Sequence, residues 1–396
     1  MKRKYTFERP GRAARFFGTR KGRLVLFAGV IAALAAVALL IIYVFVPLFT
    51  PPEQTEETET HAHLRKNRFR DSLSADAEAD GFSYNLSKGV TEAKLGVLTA
   101  IDPFIFEDEI IFVSSATENG LLKYNKLFIY DCNEKKETQV DVETKYTNIL
   151  YPRFNDDYIV FLDSSAAGGG RICVYDRKNG KQFTVKDYLY AAPKIAMCGN
   201  VIVFYQQAGE ATDRLYFYDL ETGESSAYRV LSGLPIAPPP VSAKDGKVVY
   251  SVPYSTEDGF GRSRIYKLDL DTGHETVIEP GKLIYDIKTD GENIAFLASA
   301  AGMPTDLYLL DGEIPDLIAE DAANFEMGNG FIAYTKDDAV YAYSLRERIH
   351  YKVNSDISRA YLASANGDRI CFMDVTGGFD DNVNTIKYIK VDIADG

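Results

Sequence analysis

The sequence has no tryptophan, and it has only four histidines and four cysteines in 396 residues. The lack of tryptophan disfavours a site that stacks against sugars. The cysteines, Cys132, Cys173, Cys198 and Cys371, show no CxxC spacing, which argues against a zinc site and against a scaffold built on disulfides. We expect them to be small, buried and unpaired residues.

Motifs that carry catalytic chemistry are also missing. The sequence contains no GxSxG, P-loop, GxGxxG strand–helix unit or HExxH. We place His274 in a hairpin turn and His350 in a rim strand, which disfavours a histidine catalyst. Asp269 and Asp271 resemble the start of a calcium loop, but Gly273 stands where a ligand belongs, so a hairpin turn is favoured. We therefore predict no catalytic residue, no metal, no cofactor and a protein that is not an enzyme.

Two other groups of residues leave a metal ion open as an alternative. His61 and His63 lie close together in a polar segment, and residues 377–382 form an acidic loop. Solvated histidines in a flexible tether and a plain solvated loop are the favoured interpretations of these two groups. Neither group is therefore predicted to bind a metal.

Basic residues are concentrated at the N-terminus. Residues 1–23 contain nine basic side chains and one acidic one, which leaves 35 basic and 56 acidic residues in the remainder. Such an excess of negative charge repels the phosphates of nucleic acids. We therefore predict no DNA or RNA partner.

Residues 24–49 form a long apolar run, 26 residues without a charged side chain. A helix needs about 20 apolar residues to cross the hydrocarbon core, whereas a cleaved signal peptide has an apolar core of about 7–15. Because positive charge stays in the cytoplasm, we predict an uncleaved anchor with residues 1–23 as a cytoplasmic tail. The chain is then a single-pass protein of the cell membrane that contacts the lipid bilayer through residues 24–49.

A flexible stalk is predicted for residues 50–81, which are rich in Pro, Glu, Thr and Ala and poor in large apolar residues. Such a segment cannot bury enough surface to offset the entropy lost on ordering. Residues 82–396 then form an ectodomain on the outer side of the membrane.

The ectodomain repeats one pattern seven times. Each copy contains a short run of β-branched residues that ends in an aromatic, and a turn signal rich in Asp, Asn and Gly precedes most copies. The aromatics are Phe112, Phe161, Phe204, Tyr250, Phe296, Tyr334 and Phe372. Their spacing of 38 to 49 residues is the size of a four-stranded propeller blade.

A second apolar strand follows each run, and a more polar strand such as Glu275 to Ile278 follows several of these. Middle strands that are apolar on both faces are expected where each sheet packs between two neighbours. We predict an all-β, seven-bladed β-propeller of four-stranded antiparallel blades, preceded by one transmembrane helix. The last copy lacks a rim strand, so a strand at about residues 93–98 is predicted to complete the last blade and close the ring.

Repeats such as residues 241–250 followed by residues 264–269 resemble TolB-like (WD40-like) propeller repeats of bacterial envelope proteins. The resemblance covers roughly residues 93–396 and implies the propeller fold. The amino-terminal domain of TolB has no counterpart in this sequence, so the resemblance does not imply the TolB partners.

One propeller face is predicted to carry long loops between second and third strands, and long loops on a rigid scaffold usually bind partners. Aromatic residues and arginines dominate binding hot spots. The candidate binding residues are Tyr124, Arg171, Arg214, Tyr254, Phe260, Arg262 and Arg264. Local packing and balancing of the acidic body are the alternative roles of these side chains.

The leading functional hypothesis is a non-enzymatic module that binds a protein or peptide partner of the cell envelope. An enzyme or sensor with a small molecule or glycan in the central channel is the second hypothesis, and a cluster of inward carboxylates would favour it. A structural element of a larger membrane assembly is the third, and an exposed apolar patch on one flank would favour it.

Overall fold

A computed structural model describes most of the predicted ectodomain. The described ranges are residues 85–97, 99–118, 120–189, 191–209, 212–232, 239–255, 261–299, 305–376 and 385–392. The tail, the apolar run at 24–49, the stalk, Phe260 and the loop at 377–382 lie outside them. Within the described ranges, no helix has the length and apolarity needed to cross a membrane.

The described residues form strands arranged in four-stranded units. The first unit contains β2 (Ile101–Phe106), β3 (Glu109–Glu118), β4 (Leu121–Asp131) and β5 (Lys136–Val140), and β1 (Thr91–Glu92) precedes it in the chain. The second contains β6 (Asn148–Phe154), β7 (Tyr158–Ser164), β8 (Gly170–Asp176) and β9 (Lys181–Tyr188). The third contains β10 (Ile195–Cys198), β11 (Val201–Gly209), β12 (Thr212–Asp219) and β13 (Ser225–Ser232). The fourth contains β14 (Val241–Lys244), β15 (Lys247–Ser255), β16 (Gly261–Asp269) and β17 (Glu275–Ile278).

The remaining strands continue the same order. The fifth unit contains β18 (Leu283–Thr289), β19 (Ile294–Ser299), β20 (Asp306–Asp311) and β21 (Ile314–Ala319). The sixth contains β22 (Asn324–Gly328), β23 (Phe331–Lys336), β24 (Ala339–Ser344) and β25 (His350–Lys352). The last contains β26 (Ala360–Asn366), β27 (Arg369–Asp374) and β28 (Thr385–Lys390), to which β1 is added. Successive strands within every unit pair antiparallel, and β1 pairs antiparallel with β28. The predicted all-β class is confirmed for the described residues.

The first two units join into one eight-stranded sheet. The joint between them is a single parallel residue pair, Tyr124 of β4 with Asn148 of β6. A backbone hydrogen bond of 2.9 Å from Tyr124 N–H to the Thr147 carbonyl supports it. The long β3–β4 hairpin therefore contacts the first strand of the neighbouring unit.

The repeated aromatics lie in the second strand of each unit and are all at least 99% buried. In five units the residue directly opposite on the third strand is also aromatic, and the two rings stack. The pairs are Phe112–Phe128, Phe204–Tyr216, Tyr250–Tyr266, Phe296–Tyr308 and Tyr334–Tyr341, with centroids 5.0 to 5.6 Å apart. Cross-strand aromatic pairs of this kind stabilise a sheet by about 0.2–1 kcal/mol each, which explains why the repeat retains an aromatic at this position.

Aspartates fix the turns between third and fourth strands. The Asp219 Oδ1 atom accepts hydrogen bonds from the backbone N–H groups of Glu221 (2.9 Å) and Thr222 (2.8 Å), and Gly223 ends the turn with a φ of 74°. Asp269 makes the equivalent turn, and an ion pair with Lys247 and the turn hydrogen bonds lower its pKa to about 2. The predicted hairpin turn at Asp269 is confirmed. The Asp269 carboxylate accepts hydrogen bonds from the backbone N–H groups of Asp271 and Thr272 and pairs with Lys247.

Each pair of successive units shares one hydrophobic core cluster. Between the third and fourth units, for example, Tyr205 packs with Val248 and Tyr250. The last unit packs on the first in the same way, because Cys371 and Ile386 share a cluster with Ile105 and Phe112. The units therefore pack side by side in a closed circle, which is the arrangement of a β-propeller.

The strand that completes the last unit is β1, which pairs antiparallel with β28 through Thr91–Tyr388 and Glu92–Lys387. Ala93 adds a backbone hydrogen bond of 2.9 Å to the Ile386 carbonyl. The expected position of this strand, residues 93–98, was about two residues too late. Leu95 and Val97 of that segment pack on the cluster shared by the last and first units, so their apolar pattern reflects irregular chain between two units.

The cysteines are unpaired, as expected, and Cys132, Cys173 and Cys371 are buried. Burial raises the pKa of the Cys173 thiol to about 11 and that of Cys132 to about 12. These thiols are therefore protonated near neutral pH, and unpaired buried cysteines of this kind behave as small apolar residues.

Candidate binding site

The innermost strands of the circle surround a cavity of about 500 Å³. Its wall comes from seven strands, namely β2, β6, β10, β14, β18, β22 and β26. The residues that line it stand at the ends of these strands and in the tight hairpins that follow three of them, such as Asn155–Asp157. The cavity thus occupies one end of the central channel, on the face opposite the long second-to-third-strand hairpins.

Charged side chains of both signs line this cavity. Lys288 lies between two carboxylates, with its Nζ atom 2.9 Å from Glu326 Oε1 and 3.7 Å from Asp286 Oδ2. Burial disfavours the Lys288 ammonium, but Asp286 and Glu326 outweigh that effect and raise its pKa. Lys288 is therefore a fixed positive charge that its neighbours neutralise.

Arg153 differs from Lys288 because no carboxylate in the described ranges pairs with it. Its Nη1 atom donates to the Pro152 carbonyl at 2.9 Å, and its guanidinium lies 4.6 Å from the centre of the Phe104 ring. Stacking on an aromatic ring holds a guanidinium in place while leaving its edge open to a ligand. Arg153 can therefore donate to an anionic group in the cavity.

The hairpins at the mouth add further charges. Asp157 pairs with Lys178 at 2.6 Å, whereas Lys244, Asp156 and Asp245 form no ion pair within the described ranges. Asp156 and Asp245 are exposed to solvent. The mouth of the cavity therefore offers both signs of charge to a ligand.

The lining residues offer no activated nucleophile. The Cys198 Sγ atom accepts a hydrogen bond from Gly246 N–H at 3.2 Å, and burial raises the pKa of its thiol. Ser242 Oγ accepts from Thr289 N–H at 3.2 Å, and no histidine lines the cavity to activate it. Neither Cys198 nor Ser242 is therefore activated as a nucleophile by the residues that line this cavity.

No group of three or more metal-ligating side chains occurs in the part of the chain that the structure describes. His61, His63 and the loop at 377–382, the alternatives raised by the sequence, lie outside that part. His350 stands in β25, the outer strand of its unit, and is buried.

Two of the sequence-predicted binding residues have roles inside the fold. Tyr124 joins the first two units and packs against their shared cluster. Arg171 Nε donates to Asp163 Oδ2 at 2.7 Å, and its Nη2 atom donates to the Glu143 carbonyl at 3.1 Å. Asp163 is fully buried, so Arg171 neutralises a buried charge and orders the chain that enters β6.

Three of the predicted residues come together on the β15–β16 hairpin. Arg262 stands directly opposite Tyr254 in the ladder, and the Arg264 guanidinium lies 4.5 Å from the centre of the Tyr254 ring. Arg264 Nε also donates to Glu279 Oε1 at 2.6 Å. Arg214 is exposed on β12 of the preceding unit. These residues lie on the long-loop face and not in the cavity.

The expected long loops are largely hairpin strands. Between the second and third strands of the first unit, for example, β3 continues to Glu118 and β4 begins at Leu121, so strands occupy most of the predicted loop region. The backbone N–H and C=O groups of this segment pair across the hairpin whatever side chains it carries. Its polar side chains therefore did not indicate strands. The tip of this hairpin exposes Leu121 and Leu122.

Sequence reasoning did not single out Arg153, Lys288 or Glu326. These side chains stand on short inner strands whose residue pattern is weak, and they meet only when the circle closes. Their one sequence signal is position, because each lies shortly before the turn that precedes a repeated aromatic run.

Neither a protein-family model nor a curated protein matches the sequence. Among solved structures, the β-propeller domain of the Trilobed protease from Pyrococcus furiosus matches with a TM-score of 0.54 and 12% identity, over 70% of this chain and 91% of that one. The acylaminoacyl peptidase from Pyrococcus horikoshii matches with a TM-score of 0.51 and 13% identity, over 74% of this chain and 51% of that one. The chain thus corresponds to about half of that peptidase.

TolB from Acinetobacter baumannii matches more weakly, with a TM-score of 0.44 and 15% identity, over 63% of this chain and 64% of that one. At these identities the first two matches establish the β-propeller fold and nothing about activity. The Pyrococcus furiosus propeller is described as having an open velcro topology. In this chain, by contrast, β1 pairs with β28 across the closure.

Proposed function

We propose that this chain is a membrane-anchored, extracytoplasmic propeller of seven blades that binds a protein or peptide partner without catalysing a reaction. The partner inserts a segment into the cavity at the tight-hairpin end of the central channel. The single observation that carries the proposal is that inner strands of every four-stranded unit line one open, charged cavity.

A division of the eight-stranded sheet at its single parallel pair supports a count of seven blades. Core clusters between successive units support this division, because the cluster between β3 and β7 resembles those between separate sheets. Seven four-stranded units then match the seven copies in the sequence.

A binding role is supported by the lining groups. Cys198 is a protonated, hydrogen-bonded thiol, and Lys288 and Glu326 neutralise each other. Small-molecule sites are lined predominantly by apolar side chains. Four of the seven charged lining residues are carboxylates, but Arg153, Lys244 and Lys288 stand among them, and Asp157 and Glu326 each pair with a lysine. The lining is therefore a mixture of both charges rather than the inward carboxylate cluster that would favour an enzyme or sensor, and it suits a polypeptide that brings backbone groups and charges of both signs.

A small anionic molecule is the second candidate ligand. The cavity volume of about 500 Å³ lies in the range of small-ligand sites, and Arg153 has N–H groups available for an anion. The two candidate ligands differ in one testable respect. A protein partner would contact the residues at the mouth of the cavity, whereas a small anion would bring no protein to them.

The predicted anchor at residues 24–49 and the stalk that follows would hold the propeller near the membrane. The described chain begins at Asn85, which pairs with Lys352 at the outer edge of the sixth unit. A flexible tether of about 30 residues raises the effective concentration of the propeller for partners in the same membrane region.

Photo-crosslinking in intact cells tests the proposal. The photoreactive residue p-benzoylphenylalanine replaces Asn366 or Lys244 in the cavity, or Arg214 on the long-loop face, one at a time in the full-length protein. The proposal expects a covalent product with the same protein from both cavity positions and no product with that protein from Arg214.

Arg153→Glu, added to the Asn366 position, supplies the matched control. It should abolish the product because it reverses the charge that faces the ligand, whereas Arg214→Glu in the same background should leave the product unchanged. A product from Arg214 alone would move the site to the long-loop face. No protein product from any position would leave the small anion as the better candidate.

A further inference from the structure

The outer strand β13 has a long edge that pairs with no other strand in the described ranges. It has eight residues, and Arg229 is the one charged residue in it. An unpaired edge exposes backbone N–H and C=O groups that template another strand, and proteins usually protect such edges with charges, proline or short length.

The other outer strands carry these protections. β5 and β9 contain two and three charged residues, β21 contains Pro315, and β17, β25 and β1 have four, three and two residues. β13 therefore combines length with a lack of charge that no other outer strand in the described ranges shows.

A β-bulge orients two consecutive side chains of β13 towards the next blade. The register with β12 shifts between Leu215 and Tyr216, so Tyr228 has no direct partner in the ladder. The Arg229 guanidinium then lies 4.3 Å from the centre of the Tyr266 ring and pairs with Glu275. Bulges commonly re-aim side chains in this way.

Glu275 fixes the surface beside the edge. It accepts hydrogen bonds from Tyr250 Oη at 2.5 Å and Tyr228 Oη at 3.2 Å, in addition to the pair with Arg229. The Tyr228 ring packs edge-on against Phe217 with centroids 5.2 Å apart. Tyr228 is nevertheless 41% exposed, so it is an aromatic side chain held ready for contact at little cost in conformational entropy.

Apolar residues flank Tyr228. Val230 on β13 is 59% exposed, and Val277 on the outer strand of the next blade is 49% exposed. The Arg229 charge is neutralised by Glu275. The flank of the third and fourth blades is thus an uncharged, partly aromatic strip on a strongly acidic body.

We propose that the β13 edge, defined as residues 225–230 with Val277, binds an extended segment of a partner protein that adds to the blade as a fifth strand. Backbone hydrogen bonds to β13 supply affinity, and β-branched or aromatic side chains of the partner pack on Tyr228, Val230 and Val277. This surface is separate from the cavity, so the inference does not depend on the proposed function.

The net charge of the chain indicates which kind of strand binds the β13 edge. Residues 24–396 carry 35 basic and 56 acidic side chains, so two copies of this chain repel each other. A neutral or basic segment of another protein meets no such repulsion. We therefore assign the edge to a different protein rather than to a second copy.

A synthetic strand peptide tests this assignment on the full-length protein in detergent. The probe is a fluorescent ten-residue peptide of alternating threonine and valine with one lysine at each end, N-methylated along one backbone edge so that it cannot self-associate. We expect saturable binding by fluorescence anisotropy, together with slower amide hydrogen exchange in residues 225–232.

Ala227→Lys combined with Val230→Lys gives β13 the protection of the other edges and should weaken binding at least tenfold. Thr138→Lys combined with Gln139→Lys on β5, both exposed, is the matched control and should leave binding unchanged. Equal binding to both variants, or no protection of residues 225–232, would overturn the assignment. If sedimentation shows a dimer that only the β13 variant abolishes, the edge binds a second copy of this chain instead of a different protein.

Discussion

A disulfide across the ring closure tests the position of β1. Glu92 and Lys387 stand directly opposite each other in the pair of β1 with β28, and Glu92 is exposed while Lys387 is half-buried. Directly opposite residues of an antiparallel pair have Cβ atoms about 4.5–5.5 Å apart, close to the distance that a disulfide needs. Glu92→Cys with Lys387→Cys should therefore form a disulfide under mild oxidation.

The expected gain in stability is large because the bond closes a loop of about 300 residues. The chain-entropy relation gives about 5–6 kcal/mol for such a loop, although disulfides typically deliver about 2–4 kcal/mol. A domain of this size gains roughly 2 °C in Tm per kcal/mol, so oxidation should raise the Tm by about 4–8 °C. Comparing oxidised with reduced protein cancels the loss of the Lys387–Asp374 ion pair, because both forms lack it.

Thermal unfolding followed by far-ultraviolet circular dichroism measures the gain, and mass spectrometry of peptides confirms the bond. The control is Lys94→Cys with Lys387→Cys, because Lys94 lies within the segment that the sequence predicted as the closing strand. This control should not crosslink. A disulfide in the control but not in the Glu92 variant would refute the observed closure, and so would a Glu92 disulfide without any rise in Tm.

Two further predictions concern the core. Burial, with a smaller effect from Lys336, lowers the pKa of His350 to about 4, and the Tyr334 hydroxyl lies 2.8 Å from its Nδ1 atom. Because the unfolded chain takes up a proton near its ordinary pKa of about 6.5 and the folded chain does so only near pH 4, the free energy of unfolding falls by about 3 kcal/mol as the pH drops from above 6.5 towards 4. Urea unfolding at pH 7 and pH 4.5 should show a smaller loss in His350→Gln, and an equal loss would contradict the neutral state. Phe296→Ala should lower the free energy of unfolding by about 3–5 kcal/mol, because the ring is fully buried against Tyr308. The control is Tyr285→Ala, which should cost less than about 1 kcal/mol because Tyr285 is half-exposed. Similar costs for both would mean that the repeated aromatics are not core residues.

The repeated aromatic runs were predictable because burial on both faces leaves a strong pattern. Phe204 and Phe296 are each preceded by apolar residues and end up fully buried in second strands. The closing strand was harder to predict. Thr91 and Glu92 are polar, and only backbone pairing with β28 makes them a strand.

The residues that line the candidate cavity were not predictable from the sequence. Aromatic and arginine side chains were expected to bind from the long-loop face, yet Arg171 neutralises buried Asp163. Arg153 and Lys288 face one cavity only because their strands, distant in sequence, close a circle. Such a convergence depends on the relative positions of the blades, which single-strand patterns do not encode.

The binding constant of the crosslinked partner tests the central claim most directly. The purified partner is titrated against the full-length protein and its Arg153→Glu and Arg214→Glu variants, each with an unchanged Tm. If the partner occupies the channel mouth, Arg153→Glu should weaken binding at least tenfold, which is about 1.4 kcal/mol, and Arg214→Glu should change it less than about twofold. The reverse order of the two effects would contradict a partner site in the central cavity.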